Sequence, residues 1–139
     1  MRNRFAVMLA LLGLFYVVVP VSAHHAFAAS YDADKPIEIE GTVTKVMLIN
    51  PHSFIFLDVK NPDGTVAHWE IEGGAPNALF RNGLKRDTLP PGTAIKVSGF
   101  QAKTGETKGV GAFLTRADGS KIFMGGSAPG GNGSADPAK

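Results

Sequence analysis

Four histidines, His24, His25, His52 and His68, carry most of the coordination chemistry this chain offers. The first two follow Val21-Ser22-Ala23, small residues of the kind a signal peptidase reads, and a cut after Ala23 makes His24 the first residue. A terminal histidine offers an α-amine and an imidazole from one residue. That donor pair suits square-planar copper(II), with His25 or His52 as a further nitrogen ligand. Zinc ranks below copper; it prefers a tetrahedral set and would recruit side chains such as His68, Asp58 or Glu70. A plainer reading competes with both. Terminal residues are often loose, His52 can simply shape the bend after Pro51, and His68 can be a surface partner of Asp58.

No other constellation points to catalysis. His52 and Ser53 are neighbours, and adjacent side chains of a strand point to opposite faces, so no serine is set against a histidine base. Glu70 and Glu72 share a face, but nothing in the sequence indicates the burial that would raise a carboxyl pKa for acid catalysis. Gly73-Gly74 and Gly109-Val110-Gly111 lack the lysine and spacing of a phosphate loop and read as turns. With no convergent acid, base and nucleophile, the sequence argues against an enzyme and calls for no catalytic residue.

The histidine pair sits behind a leader. Arg2 and Arg4 give a positive start, and Ala6 to Val19 is almost wholly apolar but shorter than the roughly 20 residues that span a bilayer. Residues 1–23 are therefore expected to be a cleaved signal peptide and the mature protein periplasmic, with membrane contact only through the uncut leader. No cysteine is present, so no disulfide or lipid anchor on sulfur is available. Loss of Arg2 and Arg4 leaves basic residues equal in number to the 12 acidic ones, so the sequence pI near 9.0 overstates the basicity of the mature chain. A nucleic-acid partner, which needs cations to neutralise phosphates, is set aside. Residues 125–139 are Gly, Ser, Pro, Ala and Asn with a final Lys and one Asp, and read as a disordered tail. Residues 24–124 remain for a single small domain.

That domain is predicted to be mainly β. Strands are expected over Ile37 to Ile49, with a bulge or sharp bend at Gly41, then Ser53 to Lys60, Thr65 to Glu72 and Thr93 to Gln101. Shorter stretches lie around Ala112 to Thr115 and Lys121 to Met124. A short helix is expected at Ala75 to Arg81, with Pro76 at its first position and Gly83 as its stop. Three strands, a helix and two or three further strands, the first long and bent, are the order of an OB-like Greek-key barrel of five or six strands.

The turn Asn61-Pro62-Asp63-Gly64 fixes which side chains share a face. Proline second and glycine fourth predict a type I turn with a left-handed glycine bulge, so that Asn61 pairs with Thr65. Counting outward, Val59 meets Ala67, Leu57 meets Trp69 and Ile55 meets Ile71, an apolar set for the barrel interior. The outer face then collects His52, Phe54, Phe56 and Asp58 with His68, Glu70 and Glu72. Phe54, Phe56, His68 and Glu70 form a candidate ligand-binding face, since OB barrels bind ligands across these two strands. Its partner would be a periplasmic protein, a peptide, a glycan or another small ligand. The alternative is that the segment Phe27 to Pro36, or the C-terminal half, folds over the two rings, because large exposed apolar patches are uncommon on monomers.

Several motifs together, His24-His25-Ala26-Phe27 after the leader, Ile49-Asn50-Pro51-His52, His68-Trp69-Glu70 and Pro76-Asn77-Ala78-Leu79 followed by Arg81 and Gly83, resemble an uncharacterised family of small exported proteobacterial proteins, a domain of unknown function. The resemblance runs from His24 to about Met124. It implies an exported single OB-like domain and supplies no activity. Two functions stay open: a non-catalytic binding or adaptor module using the outer face of the second and third strands, and a copper or zinc protein centred on His24, His25 and His52.

Overall fold

The β-branched runs form six strands in the computed structural model, which describes residues 27–126 and 128. The expected leader, His24, His25 and most of the expected tail lie outside the described residues. The strands are β1 (Tyr31–Met47), β2 (Ser53–Lys60), β3 (Val66–Gly73), β4 (Ala94–Ala102), β5 (Lys108–Arg116) and β6 (Lys121–Phe123). A helical turn over residues 27–30, α1, precedes β1, and α2 (Pro76–Arg81) joins β3 to β4. Pro76 opens α2, where its missing N–H costs nothing, and Gly83 follows in the left-handed region at φ 93°.

The sheet runs β3-β2-β1-β4-β5-β6 and closes on itself through a parallel β3–β5 pairing. The predicted OB-type barrel is thus the observed fold. Closure leaves β5 shared along one edge: Gly109 pairs with Ile71 of β3, and farther along Leu114 pairs with Ile122 of β6. The seam between those partners is bridged by Gly74 N–H to Met124 O at 2.8 Å and Met124 N–H to Ala112 O at 2.9 Å.

Two glycine pairs expected as turns proved structural. Gly109 and Gly111 lie inside β5, whose start the sequence reading placed four residues late. A Cβ on Gly111 would stand 2.3 Å from Met124 Sδ, and one on Gly109 would stand 2.7 Å from Ile37 Cδ1. Absence of a side chain here serves close packing inside the barrel, not chain reversal. Gly73 belongs to β3, and a Cβ on Gly74 would fall 1.4 Å from Gly125 O, so this pair also marks close approach of two backbones. β1 begins six residues before its expected start. Its bulge falls between Val43 and Lys45, whereas Gly41 admits the close approach of Asp58 and Val59.

Inside the barrel Val43, Ile55, Leu57, Ile71, Ile95, Val97 and Leu114 pack with Leu79 of α2 and with Leu84 and Leu89 of the α2–β4 loop. Full burial of such a side chain contributes roughly 1.5–3 kcal/mol. A second, smaller cluster lies on the outside of β4 and β5, where Phe27 meets Phe100, Val110, Ala112 and Ala128. The switch in facing follows from a bulge opposite Ser98 and Gly99, which leaves Ala112 without a partner in the β4–β5 ladder and sends Val110 outward but Leu114 inward. Gly125, Gly126 and Ala128, from the stretch expected to be tail, are described, and Ala128 is buried against this second cluster. No helix among the described residues is long and apolar enough to cross a membrane.

Candidate functional site

The β2–β3 hairpin has the register its turn dictates. Asn61 N–H donates to Thr65 O at 2.9 Å, Gly64 takes φ 85°, and Val59, Leu57 and Ile55 face Ala67, Trp69 and Ile71. Asp63 accepts from both the N–H and the hydroxyl of Thr65, which tightens the turn and holds its carboxyl below the usual aspartate range. On the outer face the rungs are Phe54 with Glu72, Phe56 with Glu70, and Asp58 with His68. Two aromatic rings therefore stand directly across from two carboxylates.

Of the segment that the competing reading lays over these rings, Phe27 lies elsewhere, whereas Tyr31 reaches the Glu72 carboxylate across from Phe54. The Phe27 side chain packs edge-on against Phe100 at 5.5 Å and beside Tyr31 at 5.8 Å, over β4 and β5 and away from β2. Phe54 and Phe56 belong to neither apolar cluster and are half-buried. Lys45, across the β1–β2 ladder, places its ammonium 5.7 Å from the centre of the Phe56 ring, within cation–π range.

His68 Nδ1 and Asp58 Oδ1 are 2.6 Å apart, as their rung predicts, but the His68 side chain is 80% exposed. His52, just before β2, places its buried Nδ1 2.6 Å from Glu72 Oε1 along a line too oblique for a ring N–H bond. The other oxygen of Glu72 accepts the Tyr31 hydroxyl, also at 2.6 Å. Burial first, then this bond, pushes the Tyr31 phenol well above its ordinary pKa. The sequence brings together two separate histidine–carboxylate pairs, on rungs four residues apart along β3 or roughly 13 Å. Among the described residues no three histidine or acidic side chains converge as a cation site. His24 and His25 lie outside the described residues.

Sequence reasoning missed one wall of this face. The β4–β5 loop folds toward β3, with Thr107 Oγ1 donating to His68 O at 2.7 Å and Glu70 N–H donating to Thr107 O at 3.0 Å. Beyond it opens a cleft of about 350 Å³, lined in part by Tyr31, Glu70, Glu72, Lys103, Glu106 and Lys108. A neighbouring groove of about 270 Å³ runs over Phe56, Asp58 and His68 and shares Glu70 and Lys108 with the cleft. Lys103 is committed to Ala28 O at 2.5 Å, which anchors α1, and Lys108 pairs with Glu106 at 3.1 Å. Glu106, and more weakly Glu70, hold the Lys108 ammonium above its usual pKa. Alternation from Lys108 to Ala112 was the available signal for this wall; the glycines within it disguised the strand.

A closed five-strand barrel carrying an added sixth strand, with a half-polar groove over β2 and β3 and loops at its rim, makes this an OB-type domain. The chain belongs to a family of unknown function (DUF6152), whose model matches residues 13–112. Comparison with curated proteins found no match.

Proposed function

We propose that this is a non-catalytic, exported binding or adaptor module that holds its ligand across the outer face of β2 and β3, with Phe54, Phe56, His68 and Glu70 making the contacts. The observation that carries the reading is the pairing of half-buried rings with carboxylates on successive rungs, outside both apolar clusters. An apolar platform edged by charge gives a ligand contact area and orientation together, the usual composition of a small binding site. The cleft beside Glu70 and Glu72 extends the same surface. Export rests on the leader pattern, and cleavage after Ala23 places the domain in the periplasm.

Replacing Phe54 and Phe56 together by serine tests the reading. The expected result is a melting temperature close to that of the parent with loss of whatever the parent captures from the exported fraction. Capture that survives the replacement, or a collapse of stability that makes the rings part of the core, refutes it.

A specific set of contacts also favours the metal reading, copper before zinc, with His24, His25 and His52 as ligands. Phe27, three residues after His24, is packed beside Tyr31, the Tyr31 hydroxyl binds Glu72, and Glu72 contacts His52. That chain of contacts ties the segment following the histidine pair to the third donor. Calorimetric copper(II) titration of the chain beginning at His24, beside one carrying an added N-terminal alanine, decides it. One-to-one binding lost on extension supports a terminal copper site; equal or negligible binding by both removes it.

A further inference from the structure

Helix α2 presents two unlike sides. Leu79 is fully buried beneath the barrel, whereas Phe80, the next residue, is 42% exposed. The Phe80 ring, with Lys85, Arg86 and Asp87, lines an open, almost wholly apolar depression of about 440 Å³. Arg81 follows in the last turn of α2, and Arg81, Lys85 and Arg86 are all exposed. None of the three has a carboxylate partner among the described residues. Ile49, 46% exposed, belongs to the β1–β2 loop at the same end of the barrel, where Ser53 N–H donates to Gly74 O just before α2 begins. Two of the three large apolar side chains most exposed among the described residues therefore occupy the end that carries these cations.

Burying an exposed ring beside unpaired cations is favourable where an apolar layer lies under a negative surface. Arginine and lysine stems are long enough to keep their charges at headgroup level while the ring enters the acyl boundary. The surface open in the depression is mostly carbon, from the Phe80 ring and the stems of Lys85 and Arg86, which suits an acyl boundary under charged headgroups better than a folded acidic partner. The leader points the same way, since its apolar run from Ala6 to Val19 brings the chain to a membrane during export. We infer that the α2 end, through Phe80, Arg81, Lys85 and Arg86, docks the domain on an anionic phospholipid surface, a contact independent of the β2–β3 face and additional to any made by the leader.

The test uses the chain beginning at His24, which retains every described residue of both apolar clusters and lacks the leader. It is sedimented with vesicles of phosphatidylglycerol and phosphatidylethanolamine in equal parts, with phosphatidylcholine vesicles as the neutral control. Binding is expected to the anionic vesicles alone and to weaken about fivefold for each cation removed, so that Arg81→Glu with Arg86→Glu abolishes it. Phe80→Ser should weaken it while leaving its salt dependence in place. Because all these side chains are exposed, melting temperatures of the variants should match the parent. Equal binding to neutral vesicles, binding unchanged in the double charge reversal, or no vesicle binding at all each overturns the inference. Saturable binding to poly-glutamate without vesicle binding would assign the patch to an acidic protein instead.

Discussion

The two faces of the β2–β3 hairpin are made from alternate residues of the same sixteen-residue ladder, yet they obey different rules. Inward, Ile55, Leu57 and Ile71 are at most 1% exposed and belong to one cluster with residues of β1, β4, β5, β6 and α2. Outward, Phe54 and Phe56 are only half-buried, and Glu72 and His68 are each held by one or two side-chain contacts that a ligand could replace. Stability is concentrated on the inner face, and the outer face is left to vary in chemistry at small cost to the fold.

The sharpest way to break this comparison is to truncate one residue on the inner face. Leu57→Ala or Ile71→Ala should cost about 2–5 kcal/mol, because each removes a fully buried side chain and leaves a void between strands. A loss under about 1 kcal/mol, by denaturant unfolding, would mean that the interior is not packed as described. Adding bulk to the same interior should cost less: Gly111→Ala drives a methyl into Met124 and Ile71, and overpacking of this kind costs about 1–3 kcal/mol.

The inner face was readable in the sequence because a single turn, Asn61-Pro62-Asp63-Gly64, fixes the register of everything that follows. Side chains alternate with a period of two, so one secure rung assigned Ile55, Leu57, Trp69 and Ile71 to one side and Phe54, Phe56, Asp58 and His68 to the other. The cleft was not readable for an equally physical reason. Its walls, Tyr31 and the stretch Lys103 to Lys108, approach β3 only through barrel closure, a contact between segments separated by more than thirty residues that no local pattern reports. Gly109 and Gly111 added to the difficulty, since glycine needed for close packing looks the same in a sequence as glycine needed for a turn.

Tyr31 stands at the border between the two regimes, and its effect should be intermediate. Tyr31→Phe keeps the ring against Phe27 and removes one bond to a charged acceptor, for an expected loss of about 1–2 kcal/mol. The folded phenol has a higher pKa than the unfolded one, so its contribution is complete below the unfolded value near 10 and is lost as pH rises above it. Tyr31 is the sole tyrosine of a chain beginning at His24. Absorbance of phenolate should therefore report one late alkaline transition, moved toward the ordinary value in Glu72→Gln. An ordinary transition in the parent would show that the Tyr31–Glu72 bond does not form.

The smallest effect should come from the most exposed pair. His68 and Asp58 are in close contact, but a side chain 80% exposed exchanges one well-solvated arrangement for another, and such surface pairs contribute about 0–1 kcal/mol. His68→Ala should therefore leave the melting temperature almost unchanged while removing a contact from the proposed binding face. Melting and ligand capture measured on the same variant separate the two roles. A large thermal loss would return His68 to the structure of the barrel, whereas an unchanged melt with weakened capture would place it on the proposed binding face.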